Sequence, residues 1–294
     1  METYPPNFLG LEPRYTDYAS ARFAVLPVPY EATVSYRTGT RYGPKAILDA
    51  SEQVELFDEE LGAEFFQCGI ATLNPLAPDL AGPAAMHERV YRAARPVVRD
   101  GRFLLTLGGE HGITPALVRA VAGRSRKLSV LQIDAHADLR DGYENTPFSH
   151  ASAMRRALDF VDTVVGVGIR NYSKEEHRFM RHNGIEPVTA RECHESDDWL
   201  DRVLDRLGDT VYVTIDIDGF DPSVAPGTGT PEPGGLDWYQ VTGLLRRVAA
   251  EKRIVAADIV EVAPISGQVV TEFLAARLAY KLIAYVQAGG RSPR

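Results

Sequence analysis

The chain reads as an α/β protein, a three-layer α/β/α sandwich whose central sheet is mostly parallel. Two observations predict this. Short apolar runs rich in Val, Ile and Leu recur along the 294 residues, each nearly continuous rather than alternating, which marks strands buried on both faces. Between them lie segments with helical spacing, so the strands are joined by βαβ crossovers that place helices over both faces of one sheet.

Residues 1–20, broken by Pro5, Pro6, Gly10 and Pro13, read as an irregular N-terminal arm. Arg22–Pro27 is a first strand. Pro44, set for a first turn, opens a helix from Lys45 to about Phe57. Pro83–Arg99 is helical, with Met86, Val90, Ala94 and Val97 on one face. A strand at Arg102–Leu107 leads into Gly108-Gly109-Glu110-His111, followed by a helix at Pro115–Val121. The next strand begins at Lys127 and runs through Leu128-Ser-Val-Leu-Gln-Ile-Asp134.

Ser149–Ala157 reads as helix and Thr163–Ile169 as strand. Ser173 with Glu176 three residues on forms a capping box for another helix. Trp199–Leu207 is helical and Thr210–Ile215 is a strand ending in Asp216-Ile-Asp218. A Gly- and Pro-rich loop spans 222–235, then come a helix at Leu236–Ala250, a strand at Ile254–Val260 and a last helix at Val269–Val286. With no repeat, low-complexity stretch or long linker, a single domain over 1–294 is expected.

Composition narrows the function. A net charge of −8 argues against a general binder of nucleic acid or anionic membrane and agrees with a small cationic partner. The two cysteines, Cys68 and Cys193, have no metal-like spacing and suggest a reducing compartment. Neither a basic, apolar leader nor a long apolar span is legible, so a cytoplasmic location is expected.

The chemistry lies at strand ends. Asp134, His136 and Asp138 are spaced two apart, so in extended backbone all three point to one side. Such a triplet alone is equally a solvated strand end. His111, the pair Asp216–Asp218 and Glu261 also follow inferred strands, at the sheet edge where open α/β folds bind ligands. Buried carboxylates and imidazoles that converge there need a cation. Four carboxylates and two imidazoles are too many ligands for one tetrahedral zinc; an oxygen-rich set suits a pair of harder ions such as Mn²⁺. Two divalent ions cancel four carboxylates, and a bridging hydroxide leaves about one negative charge, which favours a cationic electrophile.

These residues stand in a recognisable series: Gly-Gly-Glu-His111, Asp134-Ala-His136-Ala-Asp138, Ser149-His150, Thr214-Ile-Asp216-Ile-Asp218-Gly-Phe-Asp221-Pro222, Ala225-Pro-Gly-Thr-Gly-Thr230 and Asp258-Ile-Val-Glu261-Val-Ala-Pro264. The series resembles the ureohydrolases, the arginase and agmatinase family, from about Pro27 to the last helix. The resemblance implies one Mn²⁺ held by His111, Asp134, Asp138 and Asp216. A second would be held by Asp134, His136, Asp216 and Asp218, with Asp134 and Asp216 bridging. It implies that a bridging hydroxide, oriented by Asp138, attacks a guanidinium carbon. His150 then serves as acid/base group, with an ordinary imidazole pKa, and Glu261 fixes the guanidinium. Products would be urea and an amine, with agmatine as the expected substrate, and the family's trimers or hexamers suggest a homo-oligomer.

The sequence departs from common family patterns at several positions. Glu110 and Gly112 replace Asp and Ser, and Ala-Ser-Ala-Met154 follows His150. Arg140 stands where arginases tend to have Asn, with Tyr143-Glu144 after it; Arg140 and Tyr143 are therefore candidate substrate contacts. Arg140 could pair with a substrate carboxylate, so guanidino acids such as guanidinobutyrate form the alternative. A single-zinc amide deacetylase and a non-catalytic binding protein are less favoured. His87, His177, His182 and His194 are expected at the surface, and the Gly227–Thr230 run is expected to shape a loop near the site.

Overall fold

Alternate residues of the apolar runs separate into two hydrophobic layers. Phe23, Val25, Leu105, Leu131, Val213 and Ile259 pack into one; Ala24, Leu26, Leu104, Val130, Tyr212 and Val260 pack into the other. Neighbouring residues going to opposite faces, all dry, is what a sheet covered on both sides requires. The computed structural model describes residues 7–125 and 127–289.

Its strands are β1 (Phe23–Val28), β2 (Phe57–Asp58), β3 (Ala63–Glu64), β4 (Ile70–Thr72) and β5 (Phe103–Gly108). They continue with β6 (Leu128–Ile133), β7 (Thr163–Ile169), β8 (Val188–Thr189), β9 (Thr210–Asp216) and β10 (Arg253–Val260). An eight-stranded sheet runs in the order β4-β1-β5-β10-β9-β6-β7-β8, every neighbouring pair parallel. Helices Pro83–Arg99 and Thr114–Ala122 bury Val90, Val97, Leu117 and Val118 over one face. Helices Gly43–Ser51, Trp238–Glu251 and Val270–Ala288 bury Ile47, Leu244, Leu245, Leu278 and Leu282 over the other. Each such side chain contributes about 1.5–3 kcal/mol on burial, and together they close a three-layer sandwich.

The sequence reading needs correction in four places. The helix expected to reach Phe57 stops at Ser51. Ser51 Oγ donates to the Leu48 carbonyl and accepts from Leu9 N, so the turn is tied off by side-chain bonds. Beyond it β2 and β3 form a small antiparallel ribbon. The short edge strands β4 and β8 and the capped helix Ala190–Glu195 were not expected; two- and three-residue strands carry too little pattern to read. The arm is not irregular throughout: Phe8 and Leu9 are buried in a 3₁₀ turn and Phe8 N donates to Thr72 Oγ1. Residues 1–6 of that arm lie outside the described residues. His87 is buried against Phe148 rather than at the surface, whereas His177, His182 and His194 are exposed as expected.

Candidate metal centre

β5, β10, β9 and β6 are consecutive neighbours in the sheet, and each ends in a segment carrying site residues. After β5 the chain passes Gly109, where a Cβ would lie 1.9 Å from the Tyr30 carbonyl oxygen; only glycine permits this approach. His111 then opens a 3₁₀ turn. After β6, Asp134 Oδ1 accepts from His136 N at 2.6 Å, a local turn that folds the triplet back on itself. After β9, Asp216 Oδ1 accepts from Asp218 N at 3.0 Å in the same manner. Gly219 brings that turn against β6, since a Cβ there would meet Asp134 N at 2.8 Å. Asp138 and Glu261 both have left-handed backbone (φ 52° and 63°), an uncommon conformation for such residues that the surrounding contacts hold in place.

The ligand-bearing side chains meet. His111 Nδ1 lies 3.2 Å from Asp134 Oδ2, 3.0 Å from Asp138 Oδ2 and 3.4 Å from Asp216 Oδ2. His136 Nδ1 lies 3.0 Å from Asp218 Oδ2 and 3.7 Å from Asp134 Oδ1. Two groups of donor atoms result, His111–Asp134–Asp216 and Asp134–His136–Asp218, each with its atoms within 4.8 Å of one another and sharing Asp134. Apart from the partly exposed His136, these residues are buried.

A hydrogen-bond chain decides which nitrogen of His111 faces the carboxylates. Asp258, fully buried, accepts from Thr114 Oγ1, Tyr212 Oη and Thr214 Oγ1. The Thr214 hydroxyl hydrogen is thereby committed, so Thr214 Oγ1 accepts from His111 Nε2–H at 2.9 Å. The Nδ1 of His111 then faces three carboxylate oxygens, which, against the pull of burial, raise the ring well above its ordinary pKa and so call for a positive charge there. This nitrogen has no hydrogen-bond partner although fully buried. Three carboxylates around one buried imidazole nitrogen are repulsive unless a cation, a proton or a metal ion, stands among them, and the set is one that a divalent metal fits.

The electrostatics of the centre carry the same excess of negative charge. Burial pulls His136 down, but the Asp218 and Asp134 carboxylates push it up to about 12. Burial and then the Asp134 charge raise Asp138 to about 7, and burial with Asp218 and Asp134 raises Asp216 well above the carboxylate range. Glu261 is raised by burial and by Glu110, although it accepts from His111 N at 2.7 Å. His150 moves the other way: burial, with His111 and His136 nearby, lowers it to about 4. The ordinary imidazole pKa expected from sequence is thus corrected; the ring is neutral at physiological pH.

A cavity of about 130 Å³ opens over this centre and is lined by His136, Asp138, Asp216, His150 and Glu261, together with Arg140 and Tyr143. Every site residue read from the sequence therefore reaches the cavity or the two donor groups. Arg140 lies over the Tyr143 ring (5.0 Å to the centroid) with its Nε 3.9 Å from Glu176 Oε2. Thr230, from the loop expected near the site, also lines it, as do Ser35, Asn171, Tyr172, Ser173 and Glu176, which the sequence does not mark as site residues. Ser35 belongs to a loop without periodicity, and the others lie outside any metal-like spacing. Thr230, from the Gly227–Thr230 run, donates to Asp218 Oδ2 at 3.1 Å, which places that loop at the site.

Residues 21–284 match the model of the Arginase family. The chain is 44% identical over 289 residues to the N(1)-aminopropylagmatine ureohydrolase of Synechocystis sp., covering 96% of this chain and 94% of that protein. It is 32% identical over 289 residues to the agmatinase of Pyrococcus horikoshii, covering 96% and 98%. The crystal structure of the agmatine ureohydrolase of Thermoplasma volcanium superposes with a TM-score of 0.85 at 31% identity, covering 92% of each chain. The fold, the strand-end ligand groups and this likeness along nearly the whole chain agree: the protein belongs to the arginase family of ureohydrolases.

Proposed function

We propose that this protein is a binuclear manganese amidinohydrolase that cleaves a cationic guanidine of the agmatine type to urea and an amine. The observation that carries the reading is the pair of donor groups sharing Asp134, with His111 Nδ1 turned into one of them. His111, Asp134, Asp138 and Asp216 would hold one ion, and Asp134, His136, Asp216 and Asp218 the other. Two such ions supply Lewis acidity and a hydroxide-strength nucleophile near neutral pH. Mn²⁺ suits the oxygen-rich set.

The chain's own groups supply the rest. Glu261 lines the cavity beside the donor groups, where its carboxylate can take two N–H donors of a guanidinium and fix the carbon for attack. Asp138 accepts the hydrogen bond that orients the nucleophile. The neutral His150 ring takes a proton and returns it to the departing amine. At the cavity wall Arg140 lies over the Tyr143 ring with its Nε 3.9 Å from Glu176 Oε2, so its charge is already answered within the chain, which favours a cationic substrate tail over a guanidino acid.

Agmatine, the substrate expected from sequence, is joined by its N(1)-aminopropyl derivative, because the relative at 44% identity carries that name. Both keep the guanidinium and a cationic tail. The reading extends to a cytoplasmic homo-oligomer, a trimer or hexamer.

Urea release from agmatine, N(1)-aminopropylagmatine, arginine and guanidinobutyrate, run alongside metal analysis, tests the proposal. Two Mn per chain with turnover confined to the first two compounds is expected. One zinc, or turnover of guanidinobutyrate above both, would replace this reading with the deacetylase or the guanidino-acid alternative.

A further inference from the structure

The loop after β1 reaches the site through one threonine. Thr33 is buried, and its hydroxyl donates to Glu110 Oε1 at 2.9 Å. Glu110 Oε2 accepts from Ala32 N at 2.6 Å and Thr33 N at 2.7 Å, so this one carboxylate clamps the loop by three bonds. Backbone bonds set the clamp in place: Gly109 N donates to the Val28 carbonyl and Glu110 N to the Tyr30 carbonyl. On its other side Thr33 Oγ1 accepts from His150 N at 3.1 Å and lies 3.3 Å from His150 Nδ1.

The hydroxyl has one hydrogen, and Glu110 takes it. Toward the imidazole Thr33 can therefore only accept, which places the ring proton on Nδ1. Ser149 Oγ, 3.4 Å from the same nitrogen, is the competing neighbour; it is also the acceptor for Ala151 N. With Nδ1 protonated, His150 Nε2 carries the lone pair. It lies on the Ser35 side, 3.4 Å from that hydroxyl, and Ser35 and His150 both line the cavity over the metal centre.

We propose that Glu110 and Thr33 are positioning residues for His150: acting in series, they fix the ring's orientation and tautomer so that Nε2 is the nitrogen that exchanges protons with substrate. The proposal rests on the reading of His150 as the proton-transfer group. It gives Glu110, longer by one methylene than the Asp common at this position, a task apart from metal binding: holding the Thr33 hydroxyl and the loop that carries it.

Thr33→Val keeps the shape of the side chain and removes the hydroxyl. In the manganese-loaded enzyme, kcat for agmatine or its aminopropyl derivative is expected to fall about tenfold or more, with KM and metal content unchanged. Thr33→Ser should restore kcat, and Thr33→Ala supplies a smaller variant should valine disturb folding. In a His150→Ala background the Thr33 substitution should have no further effect, because its influence passes through the ring. Unchanged kcat in both Thr33→Val and Thr33→Ala, or an equal loss with and without His150, would overturn the proposal. Full turnover in His150→Ala alone would remove His150 from proton transfer and the proposal with it, a failure separate from that of Thr33.

Discussion

His111 Nε2 lies 2.9 Å from Thr214 Oγ1, and the Thr214 hydroxyl is bound 2.6 Å from Asp258 Oδ1. This ordering of donor and acceptor turns the other ring nitrogen of His111 toward Asp134, Asp138 and Asp216. A structural carboxylate at the sheet core thus reaches the ligand set through one hydroxyl.

Thr214→Val should release the imidazole to either tautomer and weaken metal binding by about 10–100-fold. Competition with a chelator of known affinity measures this directly, and circular dichroism checks that the fold is kept. An unchanged affinity would show that Thr214 does not orient the ligand.

Stripping the metal should lower the melting temperature, since the ligand set then holds carboxylates in mutual repulsion, and Mn²⁺ should restore it in a concentration-dependent way. Calorimetry of the chelated and reloaded protein decides. A melting temperature indifferent to chelation would count against the centre.

Glu261→Gln keeps the size of the side chain and removes its charge. A loss of roughly a hundredfold in kcat/KM is expected, because charge-assisted paired hydrogen bonds to a guanidinium weaken when the acceptor is neutral. Steady-state urea assays give the value. Retention of both kcat and KM would take Glu261 out of substrate binding.

Lys281 and Asp58 form a buried ion pair at 3.0 Å, with side chains 3% and 2% exposed, and Glu60 Oε2 lies 2.9 Å from the same ammonium. Lys281→Met leaves the Asp58 carboxylate buried and uncompensated and should cost about 3–5 kcal/mol in urea denaturation. Adding Asp58→Asn should recover part of the loss, since the stranded charge is then gone. No recovery in the double variant would show that packing, not charge, sets the cost.

His87 is buried, and burial, with the Arg119 charge nearby, lowers it from its ordinary 6.5 to about 4. The unfolded chain binds the proton more readily than the fold, so this residue's contribution to stability is complete above pH 6.5. It is lost as pH falls toward 4, by roughly 3 kcal/mol at the lower end. His87→Leu should flatten that part of the stability–pH curve relative to wild type. Curves that stay parallel from pH 7 to 4.5 would exclude His87 as a source of the acid sensitivity.

Much of the fold was readable because its signals are local. Strand β6 and the acids at its end could be placed because a buried parallel strand is apolar without interruption and its polar residues cluster where it stops. The helix Lys174–Asn183 showed its start through Ser173 and Glu176, whose reciprocal bonds are present. Helix Gly43–Ser51 is shorter than its sequence pattern suggests because its end is tied by Leu9, 42 residues away, bonding to Ser51. His87 shares the helix face of Val90, Ala94 and Val97, but residue type alone assigns a lone histidine to the surface, and only the distant Phe148 packing on it settles its burial.

The sequence by itself determined which side chains stand just past strand ends and what chemistry they can support, since an uninterrupted apolar run shows where a buried strand stops. The turns that follow, with Asp138 in left-handed backbone, aim the side chains. The tertiary structure alone decided that β10, late in the chain, enters the sheet between β5 and β9 and so brings Glu261 beside His111 and Asp216. It also decided that Asp258 and Thr214 turn His111 toward the carboxylates, and that Thr33 meets His150. Strand order and hydrogen-bond direction arise from pairings across more than a hundred residues, whose stability depends on the whole packed sandwich and on no short stretch of it.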